Sequence, residues 1–236
     1  MTPLRAAARA QTRNSPTIEN RSAPGPLQSS ALVLRDLRFM KLTVVYGCSR
    51  TGPGAEERLA AGLLDRLARI DGKCRSRARW RDLSVLRSPL GQPLVVVDGE
   101  VGPAISLSRA SGLLWGAVSQ GPDVGIDVVL RDEFAGPYPY HRAFGSEELA
   151  LVTDCIGHDL PLAAAGIWAM KEAAVKAVGI GFHGIDPRDV RVLSVQHGAG
   201  GECVFQVRVG LTCPVWLSRE GAGWLALALA PSDKEP

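Results

Sequence analysis

The chain has 236 residues, 46 % of them hydrophobic, which is enough apolar content for one large domain or two small ones. Its formal net charge is +3 at pH 7, but residues 1–39 alone carry +4, so the body of the chain is close to neutral. A broad nucleic-acid-binding face needs a basic excess on the folded domain, and this charge distribution argues against one.

Residues 1–39 are rich in Arg, Ala, Ser and Pro and contain only two acidic residues. They lack the continuous apolar region of a secretory signal. We expect a disordered leader here, with a transit peptide as the alternative, and a folded protein that begins near Met40.

From Met40 the pattern predicts a strand over 41–47, a Gly/Pro turn and a helix over 55–70. In that helix Leu59, Leu63 and Leu67 recur at four-residue spacing and form one apolar face. An Arg-rich connection over 73–88 follows in the sequence. The next predicted elements are strands over 94–97, 104–107 and 113–119, with a loop over 108–112.

The dipeptide Gly121-Pro122 breaks the chain, so we expect an N-terminal half over 40–122 and a C-terminal half over 123–230. The second half begins with a strand over 124–129 and contains a helix start at Ser146. Its other predicted elements are a helix over 162–178 and strands over 190–195, 203–210, 213–218 and 223–229. The order strand, helix, strands occurs twice, although the sequence itself shows no repeat.

The five cysteines are scattered and show no Cys-x-x-Cys spacing, which predicts reduced thiols in a cytoplasmic protein. The longest apolar stretch, 160–170, is too short to span a bilayer.

The predicted helix over 162–178 carries three charges, Lys171, Glu172 and Lys176, in an otherwise apolar stretch. One interpretation is an ordinary surface helix with a Glu172–Lys176 pair one turn apart. The other is a buried helix whose charges are compensated by a polyphosphate and a divalent cation. The pattern alone leaves both open.

Asp127 interrupts the apolar strand pattern of 124–129. An acid in a strand is often exposed at an edge or used as a cap. Alternatively, Asp127 from a strand and Glu172 from a helix converge on one Mg²⁺ ion, which usually takes one or two carboxylates plus phosphate oxygens and waters.

The Gly-Ile-Asp at 125–127, followed by Trp-Ala-Met-Lys-Glu-Ala-Ala-Val-Lys at 168–176, resembles the paired signature of the 4'-phosphopantetheinyl transferases. Phe144 with Glu148 is similar to the Phe-x-x-x-Glu step that this family places between them. Upstream, the turn at 88–93 is similar to the family's Gly-[Lys/Arg]-Pro turn, and Ser-Leu-Ser-Arg at 106–109 is similar to its Ser-x-Ser-His loop.

This resemblance implies an α+β fold of two similar α/β halves with pseudo-twofold symmetry, each a helix packed on a small, mainly antiparallel sheet. It points to the longer, monomeric subclass, of the kind that activates surfactin synthetase, with coenzyme A bound between the halves. The implied reaction transfers 4'-phosphopantetheine from coenzyme A to a serine of an acyl or peptidyl carrier protein. Adenosine 3',5'-bisphosphate is released.

The resemblance also implies roles for individual residues. Asp127 and Glu172 would be Mg²⁺ ligands, and Glu172 or Glu148 would accept the serine proton. Lys171 and Lys176 would bind phosphates. The implied coenzyme A contacts in the first half are Gly91, Gln92, Ser108 and Arg109.

Three positions depart from the family pattern. Val129 stands where a second acid is expected, Gln92 replaces the basic residue of the turn, and Arg109 replaces a histidine. Arginine can contact a nucleotide 3'-phosphate with several donors. The first two departures leave a non-catalytic, coenzyme A-binding paralogue as the alternative function.

Carrier-protein choice is expected to depend on an apolar surface near the cleft, in the region of residues 130–160. Tyr138, Tyr140 and Phe144 are candidates for that surface. Packing of these aromatic side chains within a loop is the alternative interpretation.

Overall fold

The computed structural model describes residues 32–72, 80, 82–197 and 203–231. Before Asp123 the elements are β1 (Val33–Phe39), β2 (Leu42–Arg50), α1 (Ala55–Ile70), β3 (Leu83–Arg87), β4 (Pro93–Val97), β5 (Glu100–Val101), β6 (Ser106–Ala110) and β7 (Leu113–Ser119). After it they are β8 (Val124–Leu130), α2 (Ser146–Ile156), α3 (Leu160–Ala177), β9 (Arg191–His197), β10 (Cys203–Val209), β11 (Leu211–Glu220) and β12 (Gly223–Leu229). Short 3-10 helices lie at Arg131–Phe134 and Tyr140–Arg142.

The strands of the described residues form three antiparallel sheets. The first has the order β1-β2-β7-β6, the second β8-β12-β11-β10-β9, and a small third sheet has the order β3-β4-β5. Helices packed on antiparallel sheets make this a mixed α+β fold, as the resemblance implies.

Helix α1 packs on the first sheet through the face that the leucine spacing predicts. Leu59, Leu63 and Leu67 are buried in one cluster with Val45 of β2 and Leu114 of β7. Burial of this stripe, rather than helix propensity alone, stabilises α1.

Strand β1 corrects the predicted boundary of the leader. Val33–Phe39 pairs antiparallel with β2 over its whole length, so the prediction of disorder is wrong for these residues. Residues 1–31 lie outside the described part of the chain. The alternation of apolar and polar residues that predicts a strand is weak in β1, because Arg35, Asp36 and Arg38 interrupt it.

Strand β6 corrects a second prediction. The predicted loop over 108–112 is mostly strand, and Ser111 (φ 52°) and Gly112 (φ 73°) form the two-residue turn into β7. Ser108 is therefore held in a regular strand that lies beside β8, where Ser106 Oγ accepts a hydrogen bond from the Ile126 N–H at 3.0 Å.

The two large sheets share a hydrophobic cluster, which includes Tyr46 and Trp115 of the first and Ile126 and Leu227 of the second. Each sheet carries its helix on another cluster, α1 with the first sheet and α3 with the second. The edge strands β6 and β8 thus lie side by side, and side chains from both halves meet there.

Helix α3 lies on the second sheet through small side chains. Ala173 and Ala177 are buried, and a Cβ atom built on Gly125 of β8 would lie 1.8 Å from the Ala173 carbonyl oxygen. Glycine at this position therefore allows the helix backbone to approach the strand that carries Asp127. In the part of the chain that the structure describes, no helix is long and apolar enough to cross a membrane.

We expect Gly125→Ala to lower the free energy of unfolding by about 1–3 kcal/mol, because the new methyl group overpacks the contact between β8 and α3. Gly184→Ala is the matched control, since a Cβ atom there meets nothing within 4 Å. Urea denaturation of both variants measures the difference, and equal stability of the two would contradict this packing.

Candidate active site

Asp127 lies in the middle of β8 and is 6 % exposed. Its Oδ1 accepts two hydrogen bonds, from Ser108 Oγ at 2.7 Å and from Lys176 Nζ at 2.7 Å. A buried carboxylate needs such compensation. The three side chains come from β6, β8 and α3, so the site joins both halves of the protein.

Lys176 connects Asp127 to Glu172. Its Nζ lies 3.7 Å from Glu172 Oε2 and donates to the Ile126 carbonyl at 3.2 Å. Most residues of α3 are buried, which rules out the simple surface helix, although the Glu172–Lys176 pair of that interpretation is present.

The surroundings of Glu172 shift the pKa of its carboxyl group. Burial raises the pKa of the Glu172 carboxyl above its usual value, and the negative charge of Asp127 raises it further. Lys176 acts in the opposite direction. One ammonium group thus lies between two desolvated acids, an arrangement that attracts cations.

The donor set suits a magnesium ion. Two carboxylates and a nearby hydroxyl match a cation that binds one or two acids and completes its coordination with phosphate oxygens and waters. Among the described residues, three or more acidic, His or Cys side chains do not come together as a metal-binding group. Val129 is 2 % exposed and contributes no acid. A magnesium ion here would therefore rely on phosphate and water for most of its ligands.

A cavity of about 210 Å³ opens beside this cluster. It is lined by Arg87, Leu107, Ser108, Arg109, Leu114 and Lys176. Three of these six side chains are cationic, so the cavity suits an anionic ligand.

Lys171 and Glu148 form a separate, buried pair. Lys171 is fully buried, and its Nζ donates to Glu148 Oε1 at 2.7 Å, to the Ala143 carbonyl at 2.8 Å and to the Pro187 carbonyl at 2.9 Å. Burial lowers the pKa of Lys171, and Glu148 opposes that shift. The three acceptors match the three donors of an ammonium group.

Both carboxylate oxygens of Glu148 are hydrogen-bonded as well. Its carboxylate accepts from the N–H groups of Gly145 at 2.7 Å and Val192 at 3.1 Å, besides Lys171. The structure therefore does not bring the predicted phosphate ligand Lys171 and the predicted base Glu148 to the Asp127 cluster. Their contacts are those of a structural pair that ties α2, α3 and β9 together.

Residues 123–222 match the family model of the 4'-phosphopantetheinyl transferase superfamily. The matched range contains Asp127, Glu172 and Lys176 and covers less than half of the chain, so it shows a similarity to this superfamily over these residues. No curated protein matches the chain significantly. Ser108, Arg109 and Arg87 lie outside the matched range, so their relation to a transferase site depends on the geometry alone.

The turn that resembles the transferase Gly-[Lys/Arg]-Pro step lies near the end of α3. Gly91 has a φ of 80°, which favours glycine. Gln92 closes the turn, because its carbonyl accepts from Ser88 N at 2.9 Å. A Cβ atom on Gly179 would lie 3.6 Å from the Gln92 side-chain amide, so this side chain faces the residues just beyond α3.

The candidate aromatic residues for carrier recognition pack mostly on one another. Phe144 is buried, Tyr138 lies 4.6 Å from Phe134 between ring centroids, and Tyr140 donates its hydroxyl to the Phe134 carbonyl at 2.6 Å. These contacts favour the loop-packing interpretation, most clearly for Phe144. Trp168 of the signature stacks on Phe182 with centroids 5.2 Å apart.

Two residues of the cavity region were not predicted. Glu56 near the start of α1 accepts from both Arg87 and Arg109. Glu56 resembles an ordinary acid in a first helical turn. Arg87 lies near the end of the Arg-rich segment 73–88 and belongs to no motif. The sequence therefore contains no local signal for either residue.

Proposed function

We propose that the protein transfers 4'-phosphopantetheine from coenzyme A to a serine of an acyl or peptidyl carrier protein and releases adenosine 3',5'-bisphosphate. The observation that carries this proposal is the cluster of Asp127, Lys176 and Glu172 beside a cationic cavity. The superfamily match over the same residues supports the chemistry. The alternative interpretations, an ordinary surface helix and an acid exposed at a strand edge, account for neither the burial of Asp127 nor its two hydrogen bonds.

The reaction builds negative charge on the pyrophosphate, so catalysis depends on positioning and charge neutralisation. Asp127 and Glu172 would hold a Mg²⁺ ion, which when bound neutralises phosphate oxygens. Lys176 donates to Asp127 Oδ1 and lines the cavity, so its ammonium is placed to contact a bound phosphate as well. Ser108 orients the Asp127 carboxylate through its 2.7 Å hydrogen bond.

We assign the general base to Glu172. Its carboxylate lies at the Asp127 cluster, 3.7 Å from the Lys176 ammonium, where a serine hydroxyl that attacks a bound phosphate would arrive. Glu148, the other candidate base, has its carboxylate engaged by Lys171 and by two backbone N–H groups.

The finer features of the fold are part of the same proposal. We propose coenzyme A binding between residues 40–122 and 123–230, a pseudo-twofold relation of these halves, a monomeric state and a cytoplasmic location. The cavity lined by both halves supports the position of coenzyme A. The packing of α1 on the first sheet and of α3 on the second supports the pseudo-twofold relation.

The second candidate function is coenzyme A binding without transfer. The buried Val129, which leaves the cation with two acids, favours it. Incubation with coenzyme A, Mg²⁺ and an apo carrier protein separates the two functions. Release of adenosine 3',5'-bisphosphate, detected by chromatography and dependent on all three components, supports transfer. Binding of coenzyme A without this product supports the second function.

Arg109 provides a prediction about recognition of the nucleotide. We expect Arg109→Ala to weaken the binding of coenzyme A by about ten-fold, because a charge-assisted hydrogen bond to phosphate contributes about 1.5–3 kcal/mol. Binding of 3'-dephospho-coenzyme A should change much less. Titration calorimetry with both ligands measures this, and equal weakening would remove the assignment to the 3'-phosphate.

A further inference from the structure

The two large sheets meet at edge strands. Strand β6 is the last strand of the first sheet, and β8 is the first strand of the second. The N–H and C=O groups that an edge strand turns outward need partners when they are buried. Because no ladder joins β6 to β8 in the described sheets, side chains have to supply these partners.

Two serines of β6 reach across to β8. Ser106 and Ser108 are two positions apart, so their side chains lie on the same face of the strand. Leu107 lies on the opposite face and belongs to the cluster beneath α1. Ser106 Oγ accepts a hydrogen bond from the Ile126 N–H at 3.0 Å. Ser108 Oγ donates to Asp127 Oδ1 at 2.7 Å, so the two serines contact consecutive residues of β8.

The backbone of Ile126 is held by two side chains. Its N–H donates to Ser106, which is 4 % exposed, and its carbonyl accepts from Lys176 Nζ at 3.2 Å. The same ammonium donates to Asp127, the next residue of β8. The position of the Asp127 carboxylate therefore depends on how the preceding residue is held. Of the two side chains that hold it, Ser106 is the one from the first half of the protein.

We propose that Ser106 is a positioning residue for the cation site at Asp127. Its hydroxyl fixes β8 against β6, so that the Asp127 carboxylate meets Ser108 and Lys176. The hydrogen bond of Ser106 is to the backbone, and the residue does not line the cavity beside the site. Ser106 thus acts through β8 and not by contact with the ligand. This inference rests on the proposed function, since the bound cation is part of that function.

Binding of Mn²⁺, which favours the same oxygen ligands as Mg²⁺, tests the proposal on the full chain with coenzyme A present. Electron paramagnetic resonance measures the concentration of the free ion. For Ser106→Ala we expect about ten-fold weaker binding, because partners that hold the direct ligands change metal affinity by about 10–100-fold. Ser106→Thr keeps the hydroxyl and should bind Mn²⁺ within about two-fold of wild type.

Ser49→Ala is the matched control. Ser49 is also a buried serine in a strand of the first sheet, and its hydroxyl has no hydrogen-bond partner in the part of the chain that the structure describes. This variant should bind Mn²⁺ like wild type. If Ser106→Ala does not fold, Ser106→Cys takes its place, with about three-fold weaker binding expected because a thiol is a weak acceptor.

Hydrogen exchange of the Ile126 amide, measured by NMR without metal, is the second readout. We expect Ser106→Ala to accelerate this exchange by about ten-fold, because the amide loses its acceptor. Ser49→Ala should leave it unchanged. This measurement tests the contact itself, independently of cation binding and of activity.

The outcomes separate this inference from the proposed function. A folded Ser106→Ala variant with lower stability and the Mn²⁺ affinity of wild type would show a purely structural role and overturn the inference, as would unchanged exchange of the Ile126 amide. If both differences are found but wild type transfers no phosphopantetheine, the proposed transfer fails and the role of Ser106 stands. If wild type binds no Mn²⁺, both fail.

Discussion

Asp127→Asn and Glu172→Gln are expected to lower the rate of carrier modification by about 10²–10³-fold each, since each removes charge that the transition state depends on. Both substitutions keep the size of the side chain. In Asp127→Asn the partner that lies 2.7 Å from the Lys176 ammonium loses its negative charge, and in Glu172→Gln the second carboxylate near that ammonium loses its charge. The initial rate of mass increase of an apo carrier protein, with saturating coenzyme A and Mg²⁺, is the measurement.

The control for these two variants is Asp123→Asn, an exposed acid directly before β8. It should transfer at the wild-type rate. Circular dichroism melting of each variant establishes that the loss of activity is not a loss of fold. A variant of Asp127 or Glu172 that is folded and retains more than about half of the wild-type rate would place the chemistry elsewhere.

Glu148→Gln and Lys171→Met are expected to destabilise the protein by about 3–5 kcal/mol each, because each leaves one member of a buried ion pair without its partner. Lys171 is fully buried and Glu148 is 5 % exposed, so water cannot replace the lost contact. Urea denaturation followed by circular dichroism gives the free energy of unfolding. The double variant should be less destabilised than the sum of the single ones, since the two side chains interact directly.

Glu147→Gln is the matched control, because Glu147 precedes Glu148 on α2 and is exposed. It should change stability by less than about 0.5 kcal/mol. The opposite result for Lys171 is also informative. A stable Lys171→Met variant with strongly weakened coenzyme A binding would return Lys171 to the phosphate site that the resemblance implies.

The sequence predicts most of this fold because the hydrophobic periods are clear. The bounds of α1, β7 and β12 agree with the predicted ones, and α3 begins only two residues before its predicted start. The strands β1 and β3 were not predicted, because charged residues in β1 and a run of arginines before β3 hide the alternation. Their stability comes from pairing with β2 and β4, which are contacts between strands rather than local patterns.

The residues of the candidate site also fall into those that the sequence predicts correctly and those that it does not. Asp127, Glu172 and Lys176 carry a recognisable pattern, and the structure brings all three together. Lys171 belongs to the same pattern, yet its position in the helix turns it toward Glu148 and two backbone carbonyls. Side chains one position apart on a helix point about 100° apart around its axis. The adjacent residues Lys171 and Glu172 therefore lie in different surroundings.

Contacts between segments that are distant along the chain could not be predicted from the sequence. Ser108 is predicted as a loop residue that contacts coenzyme A, whereas the structure shows its hydroxyl on Asp127. Glu56 meets Arg87 and Arg109 through the packing of α1 against the first sheet, and nothing in the local sequence encodes that meeting. Tertiary packing determines these pairs.

The most direct test of the proposed transfer is the intact mass of an apo carrier protein after incubation with this protein, coenzyme A and Mg²⁺. A carrier variant with alanine at the acceptor serine is incubated in parallel. We expect a mass increase of one phosphopantetheine on the serine form and none on the alanine form. Unchanged masses of both forms, with coenzyme A demonstrably bound to the protein, would contradict it.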